Sequence, residues 1–434
     1  MVQQTVFAFK LASTTRKVSS FGGLSLLAEA LESTGLRKVV EQEFPVPGSN
    51  RGHNAWQYFQ SLTYLLSCGG RQLSDIRRLS RDSVVNDVLG LRPPSDVSLG
   101  RWLRKAGHSD RLSNISDRLA SHLAARSRRQ SFTFDIDATF IEAHKEGAQY
   151  SYHKAPGYYP MTGWLAEEEI AFGQEFRAGN VSPNSGLTAF VDHCWRMLPA
   201  GKSFHLLRSD SAGYNSDLFN WCEQHKVKFL VRASRDPAVM RTIRSLPDLT
   251  YQNLPATLDE GVYAETVHSM SETKQAFRLI IVRRPTQAAL DKTFVQEEDL
   301  QIFAIATNDW ESEATDLILR YNQRGQAENL IKELKYGYGQ YRVPCEVETG
   351  NASWFALGQI AYNLGQYLKL FILGGDWICR KVATLRWNLY QLPGLVTCSG
   401  RYLRLALRCN DKLIRWLTRM RYRIYQLARD PVPI

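Results

Sequence analysis

The 434-residue chain lacks several features that would assign it to a specialised class of protein. Its seven cysteines are odd in number, and none stands in a C-x-x-C pair. This usage indicates neither a disulfide framework nor a zinc site, and it is typical of a reducing, cytoplasmic compartment. No run of about 18 apolar residues occurs, so the sequence predicts no membrane span. The opening MVQQTVFAFK lacks the basic start and long apolar stretch of a signal peptide.

What is present is an ordinary globular composition with an uneven distribution of charge. Hydrophobic residues make up 44% of the chain, and the length suits about two to four domains. The net charge is +11, with 19 Lys+Arg against 10 Asp+Glu in residues 1–130, 12 against 3 in 376–434, and 23 against 30 in 131–375. Basic ends attract a polyanion such as nucleic acid, whereas an acidic centre suits a site built from carboxylates. Solvated charged faces are the simpler alternative.

The first 130 residues have the pattern of helices. Apolar residues recur at helical spacing in GLSLLAEALESTGLRKVVEQEF and in NAWQYFQSLTYLLSCGG. The segment SDVSLGRWLRKAG predicts a capped helix that exposes Arg101, Arg104 and Lys105. It is either the second helix of a helix-turn-helix or an ordinary surface helix.

The middle of the chain has the pattern of an α/β core. Apolar and polar residues alternate in SFTFDIDATF, which predicts a strand with Asp135 and Asp137 on the same side. Two further strand patterns, SFHLLRSD and VKFLVRAS, flank the helical NSDLFNWCEQHK, which Asn215 or Ser216 caps, in a βαβ-type unit. From about Pro237 onward, VYAETVHSM, AFRLIIVRR and LQIFAIATN predict a sheet inserted between parts of this core.

A strong helix is predicted over SEATDLILRYNQRGQAENLIKELK, with Ser312 as its cap. Each residue of an α-helix turns by about 100°, which places five polar residues in one wedge of roughly 80°. These residues are Tyr321, Arg324, Glu328, Lys332 and Lys335. The stripe is either an exposed face with Glu328 and Lys332 as an i,i+4 pair, or one acid and three cations at a working site.

Two aspartates give Glu328 partners in such a site. Asp137 and Asp210 each end a predicted strand, and ligands of α/β sheets bind beyond the carboxyl ends of strands. Three carboxylates can bind two Mg²⁺ or Mn²⁺ ions for phosphoryl transfer. Taken singly, the aspartates have simpler explanations, because Asp135 can pair with a neighbouring cation and Asp210 can cap the following helix.

On these residues the chain resembles bacterial insertion-sequence transposases of the DDE type, in particular transposase DDE group 1, which has a Tyr-x2-Arg-x3-Glu-x6-Lys signature. Every spacing of that signature is met by Tyr321, Arg324, Glu328 and Lys335. As in the family, Asp137 is followed by Thr139 in DIDATF, and Asp210 lies in RSDSAGY. The resemblance covers roughly residues 130–375.

The resemblance implies cleavage of transposon ends that depends on two Mg²⁺ or Mn²⁺ ions, followed by transfer of the freed 3′-hydroxyl to target DNA. It implies three metal-binding catalytic residues, Asp137, Asp210 and Glu328. It places four residues on the DNA: Tyr321, Arg324, Lys332 and Lys335. The implied partners are double-stranded DNA and a second copy of the chain in a synaptic homodimer. Whether Asp135 assists Asp137 stays open.

The predicted fold class is α/β, with an RNase H-like catalytic core that contains a β-rich insertion. A helical N-terminal domain and a basic helical C-terminal region flank this core. The predicted boundaries are 1–128 for the DNA-binding domain, 129–235 and 309–375 for the core, 236–308 for the insertion and 376–434 for the C-terminal region.

The resemblance and the distribution of charge indicate further candidate residues. Some relatives stack a Trp on a flipped base, and Trp310 either does so or closes a core. His153, Tyr158 and Tyr159 either touch the DNA end or pack their loop. Seven cations of the tail would form one helical stripe, either on DNA or on a plain surface: Arg401, Arg404, Arg408, Lys412, Arg415, Arg419 and Arg423.

The functional prediction is a DDE transposase that performs cut-and-paste DNA transposition in the bacterial cytoplasm. One alternative is a nuclease that has the same core but does not transfer strands. The other is a catalytically silent DNA-binding derivative, and the presence of Asp137, Asp210 and Glu328 together counts against it.

Overall fold

The structure, a computed structural model, describes residues 11–44, 52–258, 260–286, 300–430, 432 and 434. Residues 1–10, where the sequence indicates no signal peptide, and residues 287–299 of the predicted insertion lie outside the described residues. Among the helices of the described ranges, none combines the length and apolarity needed to cross a bilayer.

The N-terminal part of the chain is helical, as its apolar periodicity predicted. The elements are β1 (Val18–Ser19), α1 (Leu24–Ser33), α2 (Leu36–Glu43), α3 (Ala55–Ser67), α4 (Ile76–Ser80), α5 (Asp96–Ala106) and α6 (Arg111–Arg126). Helix α3 begins at a capping box formed by Asn54 and Gln57. Ser95 caps α5 by accepting the N–H of Ser98, so the capped helix predicted at SDVSLGRWLRKAG is confirmed.

A nine-stranded mixed sheet forms the centre of the described molecule. The middle elements are β2 (Ser131–Ala138), β3 (Ile141–Glu142), β4 (Gln149–Tyr150), β5 (Pro156–Tyr158), β6 (Met161–Leu165), β7 (Ile170–Glu175), α7 (Leu187–Met197), β8 (Ser203–Ser209), α8 (Ser216–His225), β9 (Lys228–Arg232), α9 (Pro237–Arg244), β10 (Gln252–Asn253), β11 (Val262–His268), β12 (Phe277–Pro285) and β13 (Leu300–Thr307). The order across the large sheet is β10-β11-β12-β13-β9-β8-β2-β6-β7. Strand β8 runs parallel to both β2 and β9, which confirms the predicted βαβ unit and the α/β fold class. Asn215 caps α8, as expected.

The strands predicted as an insertion extend this sheet and do not form a separate one. Strand β13 pairs antiparallel with β9, with Ile305 opposite Arg232 and Thr307 opposite Leu230. The strands β11 to β13 are therefore continuous with the core strands. The predicted domain boundaries stay predictions.

The last part of the chain contains helices and a hairpin. The elements are α10 (Ala314–Asn322), α11 (Gly325–Lys332), α12 (Glu348–Tyr367), α13 (Val382–Leu385), β14 (Gly394–Ser399), β15 (Tyr402–Leu407) and α14 (Asp411–Arg429). Helix α12 is buried along nearly its whole length and packs against α3, α5, α6 and β7. The Asn363 side chain bonds both backbone groups of Ala171, at 3.0 and 2.8 Å, so α12 covers the edge of the sheet at β7.

The helix predicted from Ser312 to Lys335 is wrong as one continuous element. It breaks between α10 and α11, where the N–H of Arg324 donates to the Tyr321 carbonyl at 2.9 Å, three residues back instead of four. After α11, residues Glu333–Gly337 form a π-helical turn. Gly325, a poor helix former, directly follows the break.

Ser312 does not cap α10, which corrects a second prediction. Its hydroxyl donates to Asp309 Oδ2 at 2.8 Å, while Asp309 Oδ1 accepts the N–H groups of Glu311 and Ser312. Glu313 occupies the capping position without a side-chain bond. The aspartate of the preceding turn therefore takes the serine hydroxyl that would have capped the helix.

The C-terminal region is only partly helical, so the predicted seven-cation stripe is also wrong. Arg401 lies in the turn between β14 and β15, Arg404 lies in β15, and Arg408 follows it. Gly400 in this turn has φ +60°, a conformation that suits glycine. Leucines alternate with other residues along β15, the two-residue period of a strand. The remaining cations of the stripe, Lys412, Arg415, Arg419 and Arg423, lie on α14.

Candidate active site

The carboxyl ends of β2 and β8 bring Asp137 and Asp210 to the same edge of the sheet. The two strands are parallel neighbours, with Asp135 opposite Arg208. Asp137 is the second-last residue of β2, and Asp210 directly follows β8. The predicted position of both aspartates at strand ends is confirmed.

The Asp137 carboxyl has an unusually high pKa for an aspartate. Burial is the main cause, since 15% of the side chain is exposed, and the pKa is raised to about 6. The Arg324 guanidinium lowers this pKa, and so does the Ala138 N–H, which donates to Oδ1 at 2.8 Å. The negative charges of Asp210 and Glu328 raise it. The three predicted acids therefore act on one another through space.

Arg324 lies between two of these acids. Its Nη2 is 3.2 Å from Asp137 Oδ2, and its Nη1 is 3.8 Å from Glu328 Oε1. The guanidinium is 10% exposed, and its Nε has no hydrogen-bond partner among the described residues. Burial lowers the pKa of Arg324, but the charges of Asp137 and Asp210 together outweigh this effect, and the pKa is raised overall. The positive charge of Arg324 therefore partly offsets the negative charge of the acids.

Glu328 lies at the outer rim of the site. Its side chain is 57% exposed, and its ion-pair partner is Arg324, not Lys332 as the helical spacing suggested. Across the part of the chain that the structure describes, no three His, Cys, Asp or Glu side chains are close enough together to hold a metal ion. The acids thus interact electrostatically, but Arg324 and the exposed position of Glu328 keep them from forming one compact ligand set.

The other polar residues of the predicted stripe separate into inward and outward groups. Tyr321 is half-buried; burial raises its pKa, and the charge of Arg324 lowers it, which places the phenol beside the same cation. Lys335 Nζ donates to Thr139 Oγ1 at 3.1 Å and to the Phe140 carbonyl at 2.9 Å, in the loop after Asp137. Lys332 is exposed and forms no ion pair with any described residue.

Asp135 is a structural partner of Arg208. Arg208 Nε and Nη2 donate to the two Asp135 carboxylate oxygens at 2.6 and 2.8 Å, and both side chains are buried. The simpler explanation of Asp135, a pair with a neighbouring cation, is thereby confirmed. Asp210 Oδ1 accepts the Ala212 N–H at 3.0 Å and caps the short turn that follows β8. Sequence reasoning missed Arg208, although it precedes Asp210 by two residues on the same strand.

The aromatic candidates differ in their surroundings. Trp310 is 52% exposed, so it does not close a core. Tyr158 is fully buried and packs its loop. Tyr159 is buried, and its hydroxyl bonds that of Tyr152. Burial is the main cause of its raised pKa, followed by Tyr152 and then by the charges of Asp137 and Asp210. The exposed His153 ring stacks on Phe140 at 4.9 Å between centroids.

Fold and site together define a mixed α/β protein with an acidic site at the carboxyl ends of neighbouring parallel strands. The sequence matches the family Transposase DDE domain group 1 over residues 7–428, and the chain belongs to that family. It is therefore a transposase, a DNA-processing enzyme, and the resemblance to DDE transposases is confirmed.

No curated protein matches the chain. Among solved structures, the chain is similar to a piggyBac transposase in a cryo-EM synaptic complex with hairpin DNA. The identity is 12% and the TM-score 0.43, over 87% of this chain and 82% of that one.

Proposed function

We propose that this transposase cleaves the ends of its own DNA element by metal-dependent hydrolysis and joins the freed 3′-hydroxyl ends to target DNA. The observation that carries the proposal is the position of Asp137 and Asp210 on neighbouring parallel strand ends, under the cation of Arg324. Double-stranded DNA, a second copy of the chain in the synaptic complex and a cytoplasmic setting belong to the same proposal.

The residues at the strand ends fit a hard divalent cation. Mg²⁺ and Mn²⁺ prefer carboxylate oxygens, and Asp137, Asp210 and Glu328 would hold one or two such ions. Burial raises the pKa of Asp137 to about 6, and a bound cation would compensate the charge of this buried carboxylate. When bound, the metal supplies activation of a water or 3′-hydroxyl and stabilisation of the leaving oxygen.

Arg324 has a double role in this proposal. In the structure its guanidinium occupies the space between Asp137 and Glu328. A DNA phosphate offers Arg324 a better-matched partner, because a guanidinium binds phosphate through two parallel hydrogen bonds. If the Arg324 guanidinium turned toward the DNA, the acids would be free to share a cation. Its unpaired Nε supports a role for Arg324 in binding an anion.

The remaining polar residues of the predicted stripe hold the DNA or the loop beside the acids. Lys332 is exposed and contacts a backbone phosphate in our proposal. Lys335 fixes the loop at Thr139 and Phe140, which directly follows Asp137. Tyr321 lies beside Arg324 and, in our proposal, positions the DNA near the cleaved phosphate.

The test uses the purified full chain, Mg²⁺ or Mn²⁺, and a labelled duplex that carries the DNA bordering the gene. We expect cleavage by the wild type and its loss in Asp137→Asn, Asp210→Asn and Glu328→Gln. The matched control is Asp117→Asn, because Asp117 is similarly buried, at 13% exposure, and has a pKa raised by burial, but pairs with His193. Undiminished cleavage in the three site variants would disprove the site.

The same experiment separates the alternatives. Joined products in the presence of a target plasmid support the transposase, whereas cleavage without joining indicates a nuclease. Binding that weakens with salt, without cleavage at any metal concentration, indicates a catalytically silent DNA-binding protein.

A further inference from the structure

The guanidinium of Arg208 joins the three chain segments around the site. Its Nε and Nη2 donate to Asp135 on β2, and its Nη1 donates to the Arg320 carbonyl on α10 at 2.6 Å. Arg208 itself lies on β8. One planar side chain therefore fixes two neighbouring strands and a helix relative to one another.

The Asp135–Arg208 pair precedes the site aspartates along both strands. Asp135 and Arg208 are opposite each other in the parallel register, and each precedes a site aspartate, Asp137 or Asp210, by two residues. Residues two apart on a strand point to the same side of the sheet. A shift of the pair would thus displace both acids.

The helix contact explains the break between α10 and α11. In a continuous α-helix the Arg320 carbonyl would accept the N–H of Arg324, four residues on. Here the Arg324 N–H donates to the Tyr321 carbonyl instead, and Arg208 Nη1 bonds the Arg320 carbonyl. A cation at the last turn of a helix is also favourable electrostatically. Arg208 therefore stabilises the break that precedes Arg324.

Stability alone does not require this arrangement. The Arg208 and Asp135 side chains are 5% and 1% exposed, and a well-packed apolar pair is often as stable as a buried ion pair. An apolar pair cannot bond the Arg320 carbonyl, and a lysine lacks the planar fork that reaches Asp135 and Arg320 at once. The chemistry of the contact therefore favours a role in positioning.

We propose that Arg208, held by Asp135, is a positioning residue of the transposase: it fixes the break between α10 and α11 and thereby sets Arg324 against Asp137. This inference rests on the proposed function for its catalytic readout. Its structural readout, amide hydrogen exchange around the break, is independent of that function.

The first test compares Arg208→Lys with the wild type. We expect a folded protein whose DNA affinity stays within about twofold, but whose cleavage rate at saturating DNA falls roughly 10- to 100-fold, since small misplacements of reacting groups have effects of this size. Amides of residues 321–326 should exchange faster while the global unfolding midpoint changes little. A loss of stability without this local change would indicate a merely structural role and overturn the proposal.

The matched control is Arg278→Lys. Arg278 also pairs with a carboxylate on a neighbouring strand, Glu265, and donates to the carbonyls of Asp309 and Ser312, just before α10. The bonds of Arg278 do not involve Asp135 or the Arg320 carbonyl at the helix break, so we expect the cleavage rate of Arg278→Lys to equal that of the wild type.

A second variant tests the proposal if Arg208→Lys does not fold. Asp135→Leu combined with Arg208→Met replaces the pair by apolar side chains, and we expect it to fold and to show the same loss of cleavage. Wild-type cleavage in either folded variant overturns the proposal. If the wild type itself does not cleave, the proposed function fails, and unchanged exchange at residues 321–326 in these variants would then refute the positioning role separately.

Discussion

Arg324 Nη2 lies 3.2 Å from Asp137 Oδ2, so the arginine of the Tyr-x2-Arg-x3-Glu-x6-Lys signature contacts the first acid of the site and not the solvent. The pKa of Asp137 is nevertheless raised to about 6 in the presence of this cation. The cost of burying the Asp137 carboxylate therefore exceeds the stabilisation that Arg324 provides. This difference has a measurable consequence for stability.

We expect Asp137→Asn to raise the free energy of unfolding of the metal-free protein by about 1–3 kcal/mol at pH 7.5. A carboxyl whose folded pKa is raised contributes stability that is present below its unfolded pKa, near 3.9, and is lost as pH rises through the folded value. With the folded pKa at about 6, the difference in free energy of unfolding between Asp137→Asn and the wild type should grow between about pH 4 and pH 6. It should be complete above about pH 7. Urea unfolding at several pH values measures it.

Divalent metal provides the control for this prediction. Mg²⁺ or Mn²⁺ should stabilise the wild type more than Asp137→Asn, because a ligand that binds the folded state more tightly stabilises it more at the same concentration. A variant that is less stable than the wild type at pH 7.5 would contradict the raised pKa of Asp137.

Glu328→Gln should separate activity from stability. The side chain is 57% exposed and its distance to Arg324 is 3.8 Å, so we expect the free energy of unfolding to change by less than about 0.5 kcal/mol. Cleavage should fall at least about 100-fold if Glu328 is the third acid. The matched control is Glu313→Gln, an exposed glutamate at the start of α10 without a side-chain capping bond. Equal cleavage in both variants would exclude Glu328 from the site.

The sequence was sufficient to locate the two aspartates because their positions follow from local patterns. Alternation in SFTFDIDATF predicts the strand that Asp137 ends, and the strand–helix–strand pattern predicts the strand that Asp210 ends. The structure adds that these two strands are parallel neighbours. The Asp135–Arg208 pair depends on the register between strands far apart in the chain, which no local pattern specifies.

The helix break and the C-terminal hairpin were missed for different physical reasons. Residues 312–335 have the spacing of one helix, but Arg208, from another strand, bonds the Arg320 carbonyl that a continuous helix would use. In the tail, the three- and four-residue steps of the arginines suggested a helix, while the two-residue alternation of leucines in β15 was the stronger signal. A tertiary contact therefore decided the first case, and a local alternation that was overlooked indicated the second.

Lys332 and Lys335 should differ in their effects on DNA binding. Lys332 is exposed and unpaired among the described residues, so Lys332→Ala should lower the slope of log affinity against log salt by about 1. Lys335 already donates to Thr139 and Phe140, and burial lowers its pKa, so Lys335→Ala should leave the slope nearly unchanged and reduce the cleavage rate. Fluorescence anisotropy at several salt concentrations measures the slopes. Equal slope changes in the two variants would contradict this assignment.

The exposed face of α14 should bind DNA phosphates. Arg415 and Arg419 are exposed and form no ion pair with the residues that the structure describes, whereas Arg421 on the same helix lies 2.6 Å from Glu29. Arg415→Ala combined with Arg419→Ala should weaken DNA binding and lower the salt slope by about 2. Arg421→Ala is the matched control and should leave the slope unchanged. Deleting the chain from about residue 395 onward would test these arginines less specifically than the double variant. The deletion would also remove most of β14, which pairs with β1, and all of α14, which packs on α1. An unchanged slope in the double variant would show that these arginines are only solvated and do not contact DNA.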